Sequence, residues 1–239
     1  MAATVNGTGK VTNNVIFGGG NSNAAFTGIR VGSLELALRA KVRYDASHSC
    51  GGVGCAQNQF NYTNGNTYTF LTAQSNAPAN RSIFNFEWSI NSNADGMGAA
   101  LSTYTYRIDI DTDPTVHVGN NVSYNPMSIF STGYYLGTNA SPAGGALFRP
   151  GGTGNLNRFN LAQNSVNLGF LPGTNLGRGQ FTIRLSAFGG NGGALVGSTA
   201  INVIVDTPAQ VPLPAGAGLL AMALAGLRIA RPAKRKARA

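Results

Sequence analysis

Three carboxylates stand at alternate positions in RIDIDTDP: Asp109, Asp111 and Asp113. An extended strand turns every second side chain to the same face, so Asp109 and Asp111 share a face and Asp113 sits at the strand exit before Pro114. A hard cation such as calcium takes about six to eight oxygen ligands. Three carboxylates with loop carbonyls, joined by Asp95 from NADG, could begin such a site. The EF-hand pattern fails, because neither its Gly nor its terminal Glu is in place. The competing reading is a solvated strand face whose acids pair with basic neighbours such as Arg39, Lys41 or Arg43 across strands.

Cys50 and Cys55 in SCGGVGC form the second reactive pair. The glycines between them let the chain close a small disulfide loop in an oxidising compartment. Loop-closure entropy alone would make that bond worth roughly 2 kcal/mol. Free thiols are an alternative, and a metal site would have to recruit His48 and His117, with no second Cys pair to help. Neither a metal nor a cofactor is expected, calcium at 109–113 being the one weak candidate.

Catalytic patterns are missing. No GxSxG occurs. A carboxylate pair for glycoside cleavage cannot be chosen among eight scattered acids, and Glu87 within a strand reads as structural. The glycine clusters neither follow a parallel strand nor open a helix, so they do not make a phosphate loop. Trp88, Tyr104 and Tyr106 could form a sugar-stacking platform, but their alternation with polar residues favours packing in a core. The body is therefore expected not to be an enzyme.

The elements that would hold these residues are strands. Only 10% of residues are charged and 33 are Gly, against a typical charged share of about 25%. Period-2 alternation recurs. Leu34, Leu36, Leu38, Ala40, Val42 and Tyr44 fall on one face of a strand from Leu34 to Tyr44, with Glu35, Ala37, Arg39, Lys41 and Arg43 on the other. Ser82–Ile90, Thr103–Asp111, the run through Phe181, Ile183, Leu185 and Ala187, and the run through Ile201, Val203 and Val205 repeat it. Val11–Phe17, Phe26–Val31, Thr67–Leu71 and Val166–Phe170 are weaker strands. Turn vocabulary such as YTNGNT, NSNADGMG and GGNGG separates them. Eight or nine half-buried strands, with residues 118–179 the least regular stretch and read as long surface loops where binding could sit, predict an all-β fold for residues 1–207. Its expected form is an antiparallel β-sandwich of Greek-key or jelly-roll type.

Residues 208–239 follow a different physical logic. Val211–Pro214 leads into an apolar run, Ala215–Leu227, and a basic end closes the chain. Arg228, Arg231, Lys234, Arg235, Lys236 and Arg238 supply six of the 17 basic residues, so most of the net charge of +9 sits there. A nucleic-acid surface would instead place its basic residues on the folded body, and nucleic acid is not expected as a partner. As a helix, Leu213–Leu227 would span about 22 Å at 1.5 Å per residue, short of a bilayer core of about 30 Å. Arg228 can extend the span by snorkelling. Alanines and glycines weaken anchoring and allow close packing on another membrane helix. This describes a short hydrophobic C-terminal helix, held transiently in a membrane, with its basic end as a topological stop in the cytoplasm.

VPLPAG, the apolar run and the Arg/Lys end together resemble the PEP-CTERM class of bacterial sorting signals, in its VPLPA form. Leu213 stands where the commoner motif has Glu. The resemblance implies export, retention in the inner membrane, and recognition of Val211, Pro212, Leu213, Pro214 and Ala215 by an exosortase-type membrane protease. Release or attachment at the cell surface would follow, with exopolysaccharide as an associated partner. The body is also similar to one group of PEP-CTERM proteins, through ATVNGTGKVTNNVIFGGGNSNAAFT, LELALRAKVRY, FEWSINSNADG, YRIDIDTDP and FTIRLSAF. Members of that group begin near ATVNGTG after signal cleavage. MAATVNGTGKV lacks a basic start followed by an apolar stretch, so the export signal is expected to have been removed or to lie upstream.

The function expected from these readings is that of a non-enzymatic, extracytoplasmic protein of the cell surface or matrix, structural or adhesive. A carbohydrate- or calcium-binding adhesive module is the alternative, and an extracytoplasmic hydrolase is the third.

Overall fold

The computed structural model describes residues 3–6, 26–44, 62–113, 121–127, 134–138, 146–148, 156–171, 178–190 and 193–206. All of these belong to one compact unit, Met1–Thr207. The expected strand at Val11–Phe17, the Cys50–Cys55 loop and the C-terminal segment Pro208–Ala239 lie outside the described residues. Among the described residues no helix is long and apolar enough to cross a membrane; the apolar run Ala215–Leu227 is not among them.

The strands are β1 (Ala3–Asn6), β2 (Thr27–Val31), β3 (Leu34–Val42), β4 (Tyr62–Asn64), β5 (Thr67–Phe70), β6 (Phe84–Asn91), β7 (Tyr104–Asp111), β8 (Asn121–Tyr124), β9 (Tyr134–Gly137), β10 (Ala146–Phe148), β11 (Leu161–Asn167), β12 (Gly179–Gly189) and β13 (Leu195–Val205). They form a seven-stranded sheet in the order β1-β2-β3-β6-β11-β9-β10 and a six-stranded sheet in the order β4-β5-β13-β12-β7-β8. Short hairpins set much of this order. Gly32 takes φ 55° at the first turn position between β2 and β3, the conformation a two-residue turn needs and glycine adopts without strain.

One apolar cluster draws on both sheets. Leu36 and Leu38 of β3 and Phe86, Trp88 and Ile90 of β6 meet Ile108 and Ile110 of β7, Phe181 and Ile183 of β12, and Ile201 and Val203 of β13. Phe70 of one sheet stacks on Phe84 of the other, with centroids 5.6 Å apart and planes 2° from parallel. Each such side chain contributes about 1.5–3 kcal/mol on leaving water. The alternation in the sequence thus marks the inner faces correctly.

Four expectations need correction. Tyr44 does not continue β3; its φ of 60° turns the chain away after Val42. The pairing is not wholly antiparallel, because β13 runs parallel to β5 with Asn202 opposite Thr67 and Val205 opposite Phe70. Those two strands are far apart in sequence, so no hairpin dictates their relative direction. Residues 118–179 are not simply loops, since they supply β8, β9, β10 and β11. The weak strand at Val166–Phe170 is displaced: β11 ends at Asn167 and residues 168–170 form a 3-10 turn.

A fifth correction concerns burial. Strands β3 and β6 were expected to be half-buried, yet almost every residue of both, and of β11 beside β6, is buried on both faces. Their outer face is polar and internally bonded. Gln163 Nε2 donates to Ser89 Oγ at 2.9 Å, Asn85 Nδ2 to Ser165 Oγ at 3.1 Å, and Asn167 Nδ2 to Asn85 Oδ1 at 2.9 Å. Polar side chains survive burial only with such partners.

Candidate functional site

Two constellations of charged side chains emerge, one in each sheet, and they differ in kind. The first is buried. Arg39 of β3 lies directly opposite Glu87 of β6, and its Nε donates to Glu87 Oε2 at 2.5 Å. Lys41 reaches the other carboxylate oxygen of Glu87. The guanidinium carbon of Arg39 stands 4.1 Å from the centre of the Phe26 ring. Arg39 and Glu87 are both fully buried. Burial pushes the Glu87 carboxyl up, but the charges and hydrogen bonds of Arg39 and Lys41 outweigh it and hold the group below its ordinary value. With two cations already on its oxygens and water excluded, Glu87 is a structural anion, as its place within a strand suggested.

The second constellation is open to solvent. On the outer face of the six-stranded sheet, Thr105, Arg107 and Asp109 of β7 stand opposite Phe188, Ser186 and Arg184 of β12. On the other side, β8 pairs only with Ile108–Asp111, placing Ser123 opposite Asp109. Past the end of β8 the edge of β7 opens into a cleft of about 390 Å³, lined by Thr105, Arg107, Ser123, Asn125 and Phe188 together with Tyr106 and Tyr124. Arg107 Nε donates to Asp109 at 3.0 Å, and its guanidinium carbon lies 5.2 Å from the Phe188 ring centre. Ser123 Oγ donates to Asp109 at 2.5 Å. Because Arg107 is half exposed, this ion pair adds at most about 1 kcal/mol to stability; its main effect is to orient the guanidinium. Burial raises the Tyr106 and Tyr124 phenols, so both remain protonated near neutrality. Tyr106 donates its proton to the Leu101 carbonyl at 3.1 Å.

The three acids singled out in the sequence do not converge on one point. Asp109 accepts from Arg107 and Ser123. Asp111 is buried and accepts the backbone N–H of Asp113 at 3.0 Å. Asp95 closes its own turn, accepting from Ser33 at 2.6 Å and from the Met97 N–H at 2.9 Å. Among the described residues, no three acid, His or Cys side chains come together as a metal site. Addition of a chelator is therefore expected to leave Tm unchanged; a fall of several degrees, restored by calcium, would reinstate the cation reading. The proposed cross-strand partners of these acids are corrected as well. Arg39 and Lys41 serve Glu87 in the other sheet, and Arg43 lies over the Tyr44 ring at 5.0 Å. The basic neighbours of Asp109 are Arg107 and Arg184.

Trp88 and Tyr106 are core residues, and Tyr104 is half-buried against the same core. The aromatic ring that does reach the cleft is Phe188, which sequence reasoning passed over. Its signal was available: it occupies the polar register of Thr182, Arg184 and Ser186, where a strand with a solvated outer face has no packing reason to carry phenylalanine. Cys50, Cys55, Val211–Ala215 and the basic residues from Arg228 to Arg238 lie outside the described residues. No protein-family model, curated protein or solved structure matches this chain.

Proposed function

We propose that this is a non-enzymatic protein exported from the cytoplasm and delivered to the cell surface or extracellular matrix by its C-terminal segment. Residues 1–207 act as a β-sandwich body of Greek-key or jelly-roll type. Residues 208–239 act as the sorting signal, with a short transmembrane helix. The observation that carries this reading is the three-part order of the C-terminus: the Pro-flanked Val211–Ala215, an apolar run too short for firm anchorage, and a block of six basic residues. An exosortase-type membrane protease would recognise the first part while the third holds the chain in the inner membrane.

The test is the mass of the native C-terminus. The mature protein is expected to end near the proline motif, and deletion of residues 231–239 is expected to abolish that processing and reduce membrane retention at least severalfold. An intact C-terminus at Ala239, with fractionation unchanged by the deletion, would sink the sorting role.

A second reading, an adhesive module that binds carbohydrate, draws support from a separate observation. The open cleft at the end of β8 joins an aromatic ring, a guanidinium and several hydroxyl and amide groups beside Asp109.

A further inference from the structure

We propose that the cleft bounded by β7, β8 and β12 binds a carboxylate-bearing polysaccharide, with Arg107 as the group that takes the carboxylate. This rests on the adhesive reading and names the ligand class for it.

Arg107 is prepared for such a contact. Its Nε is committed to Asp109 at 3.0 Å and its guanidinium carbon stands 5.2 Å from the Phe188 ring centre, two contacts that restrict the side chain. Its two terminal nitrogens donate to no group among the described residues, and the side chain is 52% exposed along the cleft wall. A guanidinium held by Nε offers its remaining N–H groups as a fork that matches the two oxygens of a carboxylate. Holding the side chain in advance also removes much of the rotamer entropy that binding would otherwise cost.

Charge and lining agree on the ligand class. Asp109 neutralises one cation, but Arg184 stands opposite it on β12, exposed and with no ion-pair partner among the described residues. Asp109 is therefore flanked by two guanidinium groups, Arg107 along its own strand and Arg184 across from it. Thr105, Ser123 and Asn125 add hydroxyl and amide groups suited to a ligand rich in hydroxyls, and the volume falls within the usual range of small-ligand sites. The one aromatic ring in the lining besides the two tyrosines lies beside the Arg107 guanidinium, which narrows the room left for an apolar peptide side chain. A single half-exposed site of this kind binds weakly and is screened by salt. A repeating acidic polymer engaging many copies at a surface would compensate by avidity.

The experiment is affinity electrophoresis of the full-length chain in detergent through gels containing polygalacturonate, neutral dextran or polyglutamate. The basic C-terminus would bind any polyanion, so the reference protein carries Gln at Arg228, Arg231, Lys234, Arg235, Lys236 and Arg238. Polygalacturonate is expected to retard this reference. Arg107→Gln is expected to weaken the interaction about tenfold or more, Arg107→Lys to weaken it partly, and Arg178→Gln, at an exposed site near the start of β12, to leave it unchanged. Equal retardation of the Arg107→Gln protein, or an equal loss in Arg178→Gln, would overturn the proposal. Tighter, Arg107-dependent retardation by polyglutamate would assign the cleft to acidic peptides instead. Retardation by dextran alone would leave the adhesive reading standing without this inference, and retardation by none of the three would remove both. Unchanged Tm in each variant confirms that folding is not the cause.

Discussion

Replacing Glu87 with Gln is expected to cost about 3–5 kcal/mol of folding free energy, because it removes the carboxylate that both Arg39 and Lys41 contact and that faces a fully buried guanidinium. For a body of this size that corresponds to a fall in Tm on the order of 10 °C. The ion pair is not itself a large source of stability. Removing two charges from water consumes most of what their attraction returns, so the triple change Glu87→Leu, Arg39→Met and Lys41→Met is expected to be far milder than the single one. The pH dependence follows from the same geometry. The folded carboxyl titrates below its ordinary value of 4.5, so over that interval the unfolded chain binds more protons and stability rises with pH. The contribution is complete above about pH 5 and is lost as the pH falls through the depressed folded value. Wild type should therefore lose more Tm than Glu87→Gln between about pH 5 and about pH 3. A variant whose melting curve matches wild type at neutral pH would mean that water reaches the carboxylate.

Trp88 makes the second large prediction, and it separates packing from hydrogen bonding. The side chain is fully buried opposite Leu38 of β3, with its ring centre 6.3 Å from that of Tyr134. Its indole N–H has no hydrogen-bond partner among the described residues. Trp88→Ala is expected to cost about 3–5 kcal/mol through lost burial and the cavity left behind. Trp88→Phe keeps most of the apolar surface and removes an unsatisfied donor, whose burial alone costs about 1–3 kcal/mol. Its net effect should stay within about 1 kcal/mol. Urea unfolding of the two variants measures both values. Comparable losses in both would show that the indole N–H is satisfied after all and that its removal carries a cost.

How much of this was legible in the chain depends on which side of a strand is considered. The inner faces of β3, β6, β7, β12 and β13 could be read residue by residue, because burial against one shared core imposes a period of two on apolar side chains. Strand β11 was legible only at its end, within Val166–Phe170, for the opposite reason. Its residues LAQNSVN are buried on both faces, and its outer polar groups are matched to Ser89 and Asn85 of β6, so no contrast between apolar and polar positions remained to be seen. Arg39 and Glu87 show the same limit: each looks like a solvated strand residue until the other is placed across from it.

The amino-acid sequence by itself determined the β architecture, most strand positions, the apolar half of the core and the distinct chemistry of the C-terminal segment. All of these rest on local periodicity or on composition along a short run. Tertiary structure alone decided the parallel pairing of β5 with β13, the burial of the charged layer around Glu87, and the cleft where β8 stops short of Arg107. Each depends on which distant strands become neighbours, and the spacing of residues along one strand carries no information about that choice.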